Sequence, residues 1–216
     1  SFEQYKDVRT SLGLNASYDD LRSQSNASDA IKKQSGKYND ITLNYGFSQD
    51  KRNRSFMPTS GSIISFNQSL PLYADKPALG NVLSSSIYKT LSEDVVGAGK
   101  FYIASINGLD DDVRLSNRTS LSSKRLRGFE RGKVGPKDGN DYIGGNYLMT
   151  FNISSTLPQI LPNSQDTDFS VFLDVAHLWG VDYDSSIDGE GPIRSSVGLG
   201  LDWFTVIGPV SFTYAY

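Results

Sequence analysis

The 216-residue chain has no cysteine. That excludes a disulfide scaffold, a thiolate metal site and a cysteine nucleophile. Its one histidine, His177, excludes a histidine-rich metal site and leaves any serine–histidine chemistry a single candidate base. A net charge of −3 argues against a nucleic-acid partner on bulk electrostatics. No apolar run approaches the ~18 residues that a membrane helix needs. Helix signals are scarce, the best being the short polar stretch Asn26–Gln34. Aromatic residues, by contrast, make up 12% of the chain, too many for a disordered one. A lack of apolar runs does not exclude a membrane protein, because a transmembrane barrel crosses with short alternating strands and has a polar average composition.

Two-residue periodicity recurs along the chain. Ile41, Leu43, Tyr45 and Phe47 alternate with Thr42, Asn44, Gly46 and Ser48, so a pleat puts the two sets on opposite faces. Phe169, Val171, Leu173 and Val175 do the same against Ser170, Asp174 and Ala176. The pattern predicts nine strands: Thr10–Leu21, Asn39–Gln49, Ser60–Leu72, Asn81–Leu91, Gly97–Gly108, Gly145–Leu157, Asp168–Trp179, Ile193–Thr205 and Gly208–Tyr216. Several exceed the ~5–6 residues of an ordinary globular strand and suit a tilted bilayer crossing of ~9–11. Tight or moderate turns at 91–94, at Ser69-Leu70-Pro71 with the following Pro77, and at 206–209 contrast with long charged connections at 50–59, 109–143 and 181–192. Turns on one side and loops on the other are expected of an outer-membrane barrel. Aromatic residues toward strand ends (Tyr45, Phe47, Tyr73, Trp179, Tyr183, Trp203, Phe204, Phe212, Tyr214) are expected in interfacial girdles. A soluble β-sandwich is the competing architecture, with shorter strands and no such asymmetry.

The first residues, from Ser1, lack the basic-then-apolar order of a leader. The chain stops on Phe212–Tyr216 inside a strand pattern. Both ends are therefore expected to be cuts. Nine strands in 216 residues allot about 24 residues to each strand with its connection. The expected fold is all-β: part of a transmembrane antiparallel up-and-down barrel.

The long connection at about 109–143 carries the strongest functional signal, being too long to lack a purpose. It opens on Asp110, Asp111 and Asp112, then carries Arg114, Arg118, Lys124, Arg125, Arg127, Arg131, Lys133 and Lys137. A basic loop folded back over a polar inner face with Asp174 and Asp202 finds charge-assisted partners there. Other chemistry is thin. Asp174 and His177, three apart on one strand, point to opposite faces and cannot pair. Asp182, Asp184, Asp188 and Glu190 lack the full calcium-loop pattern and its glycine. No phosphate loop, metal-ligand set, paired catalytic carboxylates or cofactor signature is present, so an enzyme is the least supported class.

The Arg127-Gly128-Phe129 tripeptide in this loop resembles the loop signature of BamA-type outer-membrane assembly factors. So do Asn44-Tyr45-Gly46, Phe56-Met57-Pro58-Thr59-Ser60-Gly61-Ser62, Gly144-Gly145-Asn146-Tyr147, Phe172-Leu173-Asp174 with Trp179, and Arg194-Ser195-Ser196-Val197-Gly198 with Trp203 and Gly208-Pro209. The ordered set, from about Asn39 onward, is the specific signal. The Arg-Leu-Arg-Gly-Phe-Glu variant is most similar to alphaproteobacterial members.

The resemblance implies a sixteen-stranded outer-membrane barrel in a Gram-negative bacterium, which at about 24 residues per strand needs about 384, so that residues 1–216 form its C-terminal part with about nine of the sixteen strands. In it this loop enters the lumen and Arg127 locks onto an acidic wall residue, with Asp174 as the expected partner. Gly128 is expected to allow a tight backbone path and Phe129 to pack on the inner wall. Glu130 and Asn152 are secondary candidates. Many relatives carry an acid where this chain has Asn152, which is expected to accept a hydrogen bond without adding charge. The implied function is folding and inserting β-barrel proteins. The implied partners are unfolded outer-membrane proteins, outer-membrane lipid, and assembly-complex lipoproteins bound through soluble repeats outside this chain. A two-partner-secretion-type polypeptide transporter shares the loop motif and stays open at this point, as does a passive porin or surface antigen.

Overall fold

A computed structural model of the chain describes residues 2–5, 7–27, 29–110, 112–158, 167–182, 189–206 and 208–216. The strands are β1 (Phe2–Tyr5), β2 (Val8–Leu21), β3 (Gly36–Asp50), β4 (Gly61–Ala74), β5 (Ala78–Ser92), β6 (Val95–Gly108), β7 (Lys137–Asp138), β8 (Asp141–Tyr142), β9 (Tyr147–Thr156), β10 (Thr167–Trp179), β11 (Arg194–Thr205) and β12 (Gly208–Ala215). A five-residue helix, α1 (Asp29–Lys33), lies between β2 and β3. Ten strands form one antiparallel sheet in the order β1-β2-β3-β4-β5-β6-β9-β10-β11-β12, while β7 and β8 form a separate hairpin inside the long loop. All nine expected strands are present. The added edge strand, β1, is too short and polar for periodicity to reveal. The helix occupies only the middle of the Asn26–Gln34 stretch.

Consecutive antiparallel neighbours send successive connections to alternate ends of the sheet. Among the described residues, one end therefore carries 22–27, 29–35, 75–77, 109–110, 112–146, 180–182 and 189–193, and the other carries 51–60, 93–94, 157–158 and 206. This corrects the expected division by length. The 51–60 connection lies opposite the long loop, and the three-residue turn at 75–77 shares its end, because topological parity rather than length decides the side; the turn expected at Ser69-Leu70-Pro71 is instead part of β4, paired with Leu43 and Thr42 of β3.

The two faces of the sheet differ. The outer face exposes Leu12, Leu14, Ile41, Phe47, Ile87, Met149, Phe151, Ile153, Leu173, Val197, Leu199 and Phe212. In an aqueous protein such a surface would be a liability; on a barrel wall it meets lipid. Polar side chains on this face satisfy one another, as apolar surroundings require. Tyr45 donates to Gln68 Oε1 (2.5 Å), Gln68 to Asn81 Oδ1 (2.5 Å) and Asn81 to Ser105 Oγ (3.5 Å). Trp179 stacks on His177 (4.4 Å) and Tyr147 (5.6 Å) at a strand end. Phe204 departs from the expected girdle: it shares the inner-face positions of β11 with Asp202 and meets Phe56 edge-on at 6.1 Å. Tyr183, Asp184 and Asp188 lie outside the described residues, as does Asp111. Leu173→Arg, at an outer position of β10, is expected to cost about 2–4 kcal/mol in a bilayer. Urea unfolding of the full-length barrel in vesicles measures it.

The buried core lies on the inner face, between wall and loop. Leu121, Leu126 and Val134 from the loop pack on Ala104, Leu148, Ala176 and Leu178 from β6, β9 and β10, with Val82, Tyr102 and Phe129 alongside. The long loop thus supplies the hydrophobic partner that the inner face of this wall would otherwise lack.

Candidate functional site

Alternation along β10 sends Phe172, Asp174, Ala176 and Leu178 to the inner face, all of them buried. Asp174 is fully buried, and a carboxylate there needs compensation for its lost hydration. The loop provides it. Arg127 donates from Nε to Asp174 Oδ2 and from Nη2 to Oδ1, both at 2.7 Å, and its backbone N–H donates to Oδ2 at 3.1 Å. The fourth bond comes from Asn152 Nδ2 to Oδ1 at 2.8 Å. Four donors occupy the four acceptor positions of the carboxylate. The planar fork of arginine matches this bidentate geometry, which lysine cannot reproduce. The Arg127 guanidinium also lies 3.5 Å over the Phe172 ring, two residues along β10.

Asn152, opposite Asp174 in the β9–β10 register, acts as a donor rather than the expected acceptor. Its amide also donates to the Arg125 carbonyl at 2.7 Å, so one side chain ties wall carboxylate and loop backbone together. Asn152→Leu takes the side-chain donor from that part-buried carbonyl and removes one of four bonds to Asp174. The expected loss is about 1–3 kcal/mol of loop docking, measured as faster amide hydrogen exchange across 125–129.

Gly128 has φ +85°, and a Cβ built there would stand 2.7 Å from Ala215 Cβ on β12. The turn therefore needs glycine twice, for its left-handed backbone and for its seat against the wall. Phe129 is half-buried against the inner core, and Leu126, between two arginines, is fully buried. Glu130 is exposed; its carbonyl accepts from the Lys133 N–H at 3.2 Å in a turn. The Arg125 guanidinium lies 3.7 Å over the Tyr102 ring.

Two more arginines of the loop, both with buried side chains, enter ion pairs whose partners sequence reasoning does not reach. Arg118 donates to Asp182 Oδ1 at 3.0 Å. The same carboxylate accepts from Val113 N (2.9 Å) and Asn146 Nδ2 (3.0 Å) where the loop leaves the sheet. Arg114, its side chain 1% exposed, pairs with Asp40 and with Asp19. A carboxylate on the small-polar face of an amphipathic strand is the signal for Asp40 and Asp19, as it is for Asp174.

Fold and site together define a class: a segment of transmembrane β-barrel wall carrying a long loop pinned to its inner face by arginine–aspartate pairs. The description of the Omp85 superfamily domain matches residues 1–216, and the chain belongs to the Omp85 superfamily. It is 28% identical over 222 residues to the outer membrane protein assembly factor BamA of Neorickettsia risticii, covering 96% of this chain and 29% of that protein. It is 26% identical over 196 residues to the human sorting and assembly machinery component 50 homolog, covering 81% and 40%. The crystal structure of BamA from Haemophilus ducreyi lacking POTRA domains 1-3 superposes with a TM-score of 0.84, covering 99% of this chain and 48% of that one at 24% identity. The chain thus spans under half the length of these relatives.

Proposed function

We propose that this chain is the wall and inner-loop part of a factor that folds and inserts β-barrel proteins into the outer membrane of a Gram-negative bacterium. The observation that carries the reading is the wall of an Omp85 protein with its long loop clamped inside by Arg127 on Asp174. The names of the relatives, assembly factor and sorting and assembly machinery component, favour assembly over secretion or passive conduction. Such a factor needs no covalent chemistry. It lowers the cost of insertion by offering strand edges as templates and by perturbing the adjacent bilayer. Its substrates are unfolded outer-membrane proteins, its solvent is outer-membrane lipid, and its accessory lipoproteins dock on soluble repeats outside this chain. The Arg127 lock keeps the loop against the wall while the rest of the barrel works.

Vesicles containing the full-length protein test the reading. Insertion of an urea-unfolded barrel protein is expected to be faster than in empty vesicles. Equal rates, together with a large steady conductance, would contradict it and favour a passive pore.

A further inference from the structure

We infer that Arg114 is a second, independent latch of the long loop. It fixes the entering arm of the loop to the β2–β3 wall as Arg127 fixes the tip to β10. The two latches lie on wall strands five places apart, since β4, β5, β6 and β9 separate β3 from β10. At ~4.8 Å per strand that is about 24 Å along the sheet. The loop is therefore a brace between two parts of the wall rather than a flap held at one point.

The arm is built for this. Arg114 Nη2 pairs with Asp40 on the inner face of β3 and reaches Asp19 Oδ2 on β2 at 3.1 Å. Asp40 is itself buried. The guanidinium lies 4.7 Å over the Tyr38 ring, its Nε donates to Ser116 Oγ at 2.9 Å, and Nη2 donates to Asn117 Oδ1 at 3.2 Å. The next residue extends the contact beyond the strands. The Leu115 N–H donates to the side-chain carbonyl of Gln34, just after α1. A buried ion pair adds little net stability compared with apolar packing, because desolvating both charges offsets their attraction. Its value lies in specifying one position: a route bringing residue 114 to the β2–β3 wall compensates the buried Asp40 carboxylate, while Asp19 keeps part of its hydration. This inference goes beyond the assembly reading and stands whatever substrate the barrel handles.

Hydrogen exchange on the full-length protein in vesicles tests it, with heat-modifiable migration as the check on a folded barrel. Asp40→Asn is expected to speed exchange of amides 113–118 roughly tenfold or more, leaving 125–129 protected. Asp174→Asn is expected to do the reverse. Arg114→Gln should open the same arm as Asp40→Asn, and Arg114→Lys should restore part of its protection. A purely structural contribution would instead loosen both segments together. Unchanged protection of 113–118 in folded Asp40→Asn and Arg114→Gln, or opening of both segments by either latch variant, would overturn the proposal. The insertion assay is run in parallel, so failure of the assembly reading is separable from failure of the latch.

Discussion

Arg127→Ala is expected to free the tip of the long loop from the wall. The substitution leaves Asp174, fully buried, with Asn152 as its one remaining side-chain donor. Removing one partner of a buried pair costs about 3–5 kcal/mol. Because the Arg127 side chain is 25% exposed, water screens part of the interaction and the lower end applies. About 3 kcal/mol corresponds to a roughly hundredfold shift toward the undocked loop. Arg127→Lys should recover a minor share, since a single ammonium cannot replace the fork that meets both carboxylate oxygens. Hydrogen exchange over 125–129 and protease cleavage within the loop measure the release, and barrel insertion measures its consequence. Unchanged exchange in Arg127→Ala would show that the apolar packing of Leu126 and Phe129 is sufficient to hold the tip.

Gly128→Ala is expected to weaken the same docking by a different route. A side chain at φ +85° costs about 1–3 kcal/mol, and its Cβ runs into Ala215 on β12. The molecule supplies its own control. Gly132, in the same loop, has φ +75° but open space where its Cβ would stand. Gly132→Ala should therefore show the backbone cost alone, and the difference between the two variants isolates the seat against β12. Ala215→Gly combined with Gly128→Ala should recover that difference and no more. Protection of amides 125–129 reads all three. Equal effects of Gly128→Ala and Gly132→Ala would mean that β12 does not constrain the turn.

The wall was legible in the sequence because a two-residue period writes both faces at once. The same alternation that turns Val171, Leu173 and Val175 to the outer face places Asp174 inside, and that placement together with the Arg127 tripeptide points to the tip contact. The loop has no period. The burial of Leu126 between Arg125 and Arg127 follows from the turn they make, and the β7–β8 hairpin from local pairing of only two residues per strand. Arg114 and Arg118 stood out as charges, but their partners depend on the path of the loop. Asp40 precedes Arg114 by 74 residues, and Asp182 follows Arg118 by 64. Asn152 illustrates a further limit: its position was visible, but its direction of donation is set by the carboxylate it faces.

Arg127 and Asp174 are expected to act as one unit whose engagement the full-length barrel needs in order to work. A double-mutant cycle in the full-length protein tests it directly: Arg127→Ala, Asp174→Ala and the pair, each compared for insertion of an unfolded barrel protein at equal levels of folded factor. Contacting residues are coupled, so each single variant should lose activity and the pair should lose no more than the worse single. Losses that simply add, or a fully active Arg127→Ala protein, would contradict it.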